Sequence, residues 1–187
     1  MAGRRWVAVA SALAALACPD SGKFGRFVGS VKTEWVEADR RMRLLEDFSY
    51  VDAQGTEWKA PKGSLIDGAS IPRVLWTAVG SPFTGEYRKA SVVHDVACDA
   101  RSRPWDAVHR MFYEASRCGG VGEQKAKIMF AAVYHFGPRW SARGTPIMFA
   151  RSRPVDEDFK HLRAFVEKDN PSLEAIEEFS GPPAPTP

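Results

Sequence analysis

Ala90-Ser91-Val92-Val93-His94-Asp95-Val96-Ala97, then the turn-like Arg101-Ser102-Arg103-Pro104, then Val108-His109-Arg110-Met111-Phe112, is the stretch that decides the fold. Two apolar segments separated by a short polar break containing proline read as an antiparallel helical hairpin, over residues 86-99 and 104-117. Within it, His94 and Asp95 stand where a buried helix is normally apolar. Burying them costs free energy unless they are paired, hydrogen-bonded or bound to a metal. The midpoint of the turn falls between residues 101 and 102, so His94 and His109 are equidistant from it. An antiparallel pair brings the two imidazoles level.

On the N-terminal side of the hairpin the pattern is β-like from Lys32 to Lys59. Val31 to Val36 and Met42 to Val51 are rich in branched and aromatic residues, and Asp52-Ala53-Gln54-Gly55 is a turn before Thr56-Glu57-Trp58. After the turn Pro61-Lys62-Gly63, a short strand Ser64-Leu65-Ile66 leads into Asp67-Gly68-Ala69-Ser70-Ile71-Pro72, where Ser70 can cap a short helix through Leu75-Trp76. On the C-terminal side, Glu123 to Phe136 carries Ala126, Met129, Phe130, Val133 and Tyr134 on one stripe and is stopped by Gly137-Pro138. Asp156 to Lys168 reads as an amphipathic helix, and Ser172 can cap a last short one. Strands first and helices after give an α+β fold: a small N-terminal antiparallel sheet, then the helical hairpin and further helices packed on one face.

With 187 residues, 44% of them hydrophobic and 11% aromatic, the chain suits one well-buried domain, placed at residues 18-180. The start has a basic Arg4-Arg5, an apolar run from Trp6 and the small-x-small Ala15-Leu16-Ala17, as a signal peptide of residues 1-17 does. An ordinary apolar N-terminal helix is the alternative. Cys18, directly after the cut, allows a lipoprotein in which that thiol is lipidated. Export to the periplasm, or to the membrane surface through lipidated Cys18, is therefore the expected localisation. Losing Arg4 and Arg5 lowers the formal charge of +3 to +1. No polybasic patch remains, so no nucleic-acid partner is expected. Residues 181-187, Gly-Pro-Pro-Ala-Pro-Thr-Pro, read as a disordered tail. A bridge between Cys98 and Cys118 is not expected, because Cys98 lies near the turn and Cys118 roughly 20 Å further along the second helix. Disulfides need Cα atoms within about 7 Å, so both thiols are expected to be free.

The charged residues of the hairpin admit three chemistries. A histidine held by a carboxylate can act as general base on water, with His94, Asp95, His109 and Asp67 as the catalytic candidates. Asp67 reaches the His94 ring if its loop folds over that helix, with Gly68 permitting the close approach. Ser70 as a nucleophile is the less favoured role beside its cap. Two imidazoles with a carboxylate would also suit Zn²⁺ with an open position, Asp95 and Asp99 being the carboxylate candidates. The third reading is structural, a His-Asp pair tying two helices together.

The string Asp67-Gly-Ala-Ser70-Ile-Pro72-Arg73, then Tyr87 to Asp95, then Met111-Phe112-Tyr113-Glu114-Ala115, then Met129 through Gly137, resembles an uncharacterised bacterial and phage family, domain-of-unknown-function family 1353, over about residues 40-140. His109 stands where members commonly carry aspartate. The His-Asp helix also resembles that of secreted phospholipases A2, which implies His94 as the base and Asp95 as a Ca²⁺ ligand, although no Y-G-x-G-C calcium loop precedes it. The expectation is an exported, envelope-associated protein acting as a hydrolase on a lipid ester or cell-wall bond through a His-Asp site. The alternative is a non-catalytic envelope or phage-derived accessory protein with a structural pair. Accessibility separates the two. Catalysis needs His94 at the floor of an open cleft, and a structural role predicts a closed, satisfied pair.

Overall fold

The computed structural model describes residues 15–36, 41–66, 85–148 and 155–180. Asp67, Ser70 and the short helix expected after them lie outside the described residues, as do residues 1–14 and the tail 181–187. The described chain is α+β, with strands first: β1 (Ala15–Gly22), β2 (Gly25–Val28), β3 (Thr33–Trp35), β4 (Met42–Leu44), β5 (Phe48–Val51), β6 (Glu57–Ala60) and β7 (Leu65–Ile66). They form two antiparallel sheets, one in the order β1-β2-β5-β6 and one in the order β3-β4-β7.

The single run expected from Met42 to Val51 is thus broken into two strands that belong to different sheets. The break falls at Glu46-Asp47, where the Asp47 carboxylate accepts the Lys62 backbone N–H at 2.8 Å and turns the chain out of the pleat. Ala15, Leu16 and Ala17 pair with Val28, Phe27 and Arg26. These three belong to the segment that signal cleavage would remove, so this pairing is a property of the uncleaved chain. Gly25 opens β2 at φ +75°, with the Val51 carbonyl and the Asp52 backbone where a Cβ would point, so only glycine fits.

The larger sheet supplies half of the core. All four residues of β5 are buried, whereas β6 alternates, with Trp58 and Ala60 inward. Phe27 stacks on Phe48 with centroids 5.6 Å apart and tilts against Tyr50 at 5.4 Å. The Tyr50 hydroxyl donates to the Phe24 carbonyl at 2.6 Å, so its buried polar end is satisfied.

Helices cover that sheet. α1 (Arg88–Ala100) packs on β5, β6 and β7, α2 (Trp105–Cys118) returns beside it over β2, and α3 (Glu123–Phe136) packs on α2. α4 (Val155–Asp169) and α5 (Leu173–Glu177) lie against α3. These bounds fall within two residues of the helices expected from periodicity, and Ser172 accepts the Ala175 N–H as the expected cap. α3 is enclosed by its neighbours, with every residue from Ala126 to Val133 buried. Lys127 is among them. Its ammonium is held by Glu123 at 2.7 Å and by the Asn170 side chain at 2.9 Å. No helix among the described residues is long and apolar enough to cross a membrane.

Candidate functional site at the helical hairpin

The turn between α1 and α2 places the two histidines. Arg101 ends α1 in the left-handed region at φ 49°, and its N–H bonds to the Ala97 carbonyl. Pro104 precedes α2 at φ −54°, the angle its ring imposes. The helices therefore return with His94 and His109 level, as the turn arithmetic expects. His94 Nε2 lies 2.9 Å from His109 Nδ1.

His109 Nε2 lies 3.0 Å from the Pro138 carbonyl. A carbonyl only accepts, so His109 carries its proton on Nε2 and its Nδ1 accepts from His94 Nε2–H. Both imidazoles are fully buried, and the His94 ring packs on Phe112 with centroids 4.6 Å apart. Burial holds His94 well below its usual 6.5, helped by the neighbouring His109. Burial also lowers His109, to about 4, against the opposing pull of the Pro138 carbonyl. Both are neutral at pH 7.

The residues brought to this pair differ from those expected. Cys98, one turn after His94, is buried, and its Sγ lies 3.7 Å from His94 Nε2. Asp95 is buried too, but it sits about 100° round the helix from His94 and does not share the group of converging donor atoms formed by His94, Cys98 and His109. Asp99 is exposed and stands apart from that group. Among the described residues, the group that converges on the two histidines thus carries a thiol and no carboxylate. The signal in the sequence was the His-x-x-x-Cys spacing, which stacks both side chains on one helical face.

A second layer, unforeseen from sequence, closes over His109. Trp105 and Trp140 lie with ring centroids 5.7 and 6.4 Å from its ring. Trp140 is buried and donates its indole N–H to the Arg103 carbonyl at 2.8 Å, while the Arg139 guanidinium lies over Trp105 at 4.3 Å. Gly137 lets the chain leave α3 against the histidine. A Cβ there would meet the Val133 carbonyl and lie 3.2 Å from His109 Cε1.

Two cavities approach the group without being lined by it. A cleft of about 280 Å³ runs between the turn and the segment after α3, lined by Arg101, Trp105, Asp106, Trp140 and Ser141. Another of about 290 Å³ lies between β6 and the hairpin, floored by Val93 and Val108, with the Arg103 guanidinium over the Trp58 ring.

The cysteines also depart from expectation. Cys98 forms no disulfide, but Cys118 is disulfide-bonded. The distance argument excluded only a bond between these two, which the structure indeed lacks. Cys118 ends α2 facing β2, with its Sγ 3.7 Å from the Gly25 carbonyl.

Residues 42–133 match the family described as Protein of unknown function (DUF1353). Over these residues the chain is similar to that family. Two relatives from Sinorhizobium fredii, the uncharacterized proteins y4jT and y4iH, are 43% and 42% identical over 71% and 72% of the chain. The chain covers only 40% and 56% of their respective lengths. No solved structure matches. The DUF1353 segment takes in β4 to β7, the whole hairpin and most of α3, so the histidines and Cys98 fall inside it, while Pro138 and Trp140 fall beyond its end.

Proposed function

We propose that this chain is an exported, non-catalytic accessory domain of the cell envelope in which the His94–His109 pair locks the helical hairpin. The observation that carries the reading is closure: both imidazoles are fully buried, and the chain of bonds His94 to His109 to the Pro138 carbonyl leaves the His109 ring with a partner on each nitrogen. A general base working at neutral pH needs a reachable ring and a conjugate acid near that pH. Burial opposes both here.

Export is supported by the disulfide at Cys118, because such bonds persist in oxidising compartments and are rare in the cytosol.

The test pairs turnover with stability. Purified full-length protein is assayed on phospholipid vesicles and peptidoglycan beside His94→Gln, with melting followed for both. The expected result is no turnover by either protein and a lower Tm for the variant. Hydrolysis by the parent that a folded His94→Gln lacks would overturn the reading in favour of a hydrolase. Non-reducing mass spectrometry of the cell fractions checks export, since a reduced cytoplasmic pool of the protein would remove the argument from the disulfide.

A further inference from the structure

Three donor atoms converge beneath the two tryptophans. His94 Nε2, His109 Nδ1 and Cys98 Sγ belong to a buried group whose ligand atoms all lie within 4.8 Å of one another. A tetrahedral Zn²⁺ with bonds of about 2.0–2.1 Å to nitrogen and 2.3 Å to sulfur sets edges of roughly 3.4 Å between two nitrogens and roughly 3.6 Å between nitrogen and sulfur. His94 Nε2 and Cys98 Sγ are already 3.7 Å apart. The nitrogens, at 2.9 Å, would separate by roughly half an ångström.

The surroundings of His109 fit the same geometry. A ligating imidazole usually gives its remaining N–H to a carbonyl or carboxylate, which fixes the tautomer and aims the lone pair. The Pro138 carbonyl does this for His109 and leaves Nδ1 facing His94 and Cys98. The ligands come from two helices, with His94 and Cys98 one turn apart on α1 and His109 opposite on α2. The cleft of about 280 Å³ ends on Trp105 and Trp140, which cover His109, so the donor group lies closed beneath its wall.

We propose that His94, Cys98 and His109 are three ligands of a Zn²⁺ ion that fastens α1 to α2. This goes beyond the hairpin lock by replacing its central hydrogen bond with metal bonds. On binding, the Cys98 thiol loses its proton to solvent, the His94 proton moves from Nε2 to Nδ1 so that the Nε2 lone pair is freed, and His109 keeps its proton on Nε2. One proton is released per ion, and no redox change occurs. Two imidazoles and a thiolate select a borderline-soft ion such as Zn²⁺, whereas Ca²⁺ requires six to eight oxygen ligands that this set lacks.

The experiment uses the full chain, stripped with EDTA and titrated separately with Zn²⁺, Co²⁺ and Ca²⁺. One equivalent of Zn²⁺ should bind and raise Tm, Co²⁺ should give a thiolate charge-transfer band in the near ultraviolet with tetrahedral visible bands, and Ca²⁺ should do neither. Cys98→Ala should lose the charge-transfer band and weaken Zn²⁺ binding at least about tenfold, by the standard of even indirect changes at metal sites. The proposal is overturned if the parent gives no charge-transfer band, or if a folded Cys98→Ala binds Zn²⁺ as the parent does. Should Cys98→Ala not fold, the parent's cobalt spectrum and zinc stoichiometry decide. Failure here leaves the accessory reading standing, because that one is tested by turnover and by the cell fraction and redox state of the protein, none of which depends on zinc.

Discussion

His109 shows how burial fixes the state of a side chain. Its conjugate acid has been pushed from 6.5 to about 4, and that of His94 also lies well below 6.5. Between those values the unfolded chain takes up protons that the folded chain refuses, so stability is full above pH 6.5 and falls as pH drops toward 4. The slope is about 1.4 kcal/mol per pH unit for each histidine, so His109 alone should cost about 2 kcal/mol between pH 7.5 and pH 5. Urea unfolding at the two pH values with EDTA present measures this, and His109→Gln should show a shallower fall. Equal stability of the parent at both pH values would mean that the pair is not held neutral. The level placement of the histidines was legible in the sequence because it needs only a turn midpoint and helical rise. Cys98 was equally legible through its spacing from His94. The 100° step per residue turns Asp95 aside from His94, and the four-residue step returns to Cys98.

At the scale of elements, the end of α3 matters as much as the hairpin. Gly137 stands where the chain leaves the helix, Pro138 gives its carbonyl to His109, and Trp140 folds over the ring. Gly137→Ala would press a methyl group against the Val133 carbonyl and toward His109 Cε1, at a cost of about 2 kcal/mol as for other overpacked sites. Gly122, at the start of the same helix, has nothing within 4 Å of its missing Cβ, so Gly122→Ala should stay within about 1 kcal/mol. Chemical denaturation of both variants checks the contrast; equal losses would mean that the α3 exit does not press on the histidine. The helices themselves were readable because apolar periodicity is local. The covering of His109 was not, because it depends on a segment about thirty residues later in the sequence returning to the hairpin turn.

The whole molecule is a layered arrangement in which the larger sheet, the hairpin and α3 lie in succession, with α4 and α5 behind. Its α+β class followed from strands preceding helices. The division into two sheets did not, since pairing β4 with β3 and β7 rather than extending it into β5 rests on contacts distant in sequence and on Asp47 binding the Lys62 N–H. Trp58 from the sheet, Trp105 from the hairpin and Trp140 from the segment after α3 all gather around the Arg101–Pro104 turn. Arg103 joins two of them, with its guanidinium on the Trp58 ring and its carbonyl on the Trp140 indole. The protein therefore carries its own optical gauge. Emission from these indoles should shift to longer wavelength when the layers separate at the turn, and Arg103→Ala should produce part of that shift before the far-ultraviolet helix signal is lost.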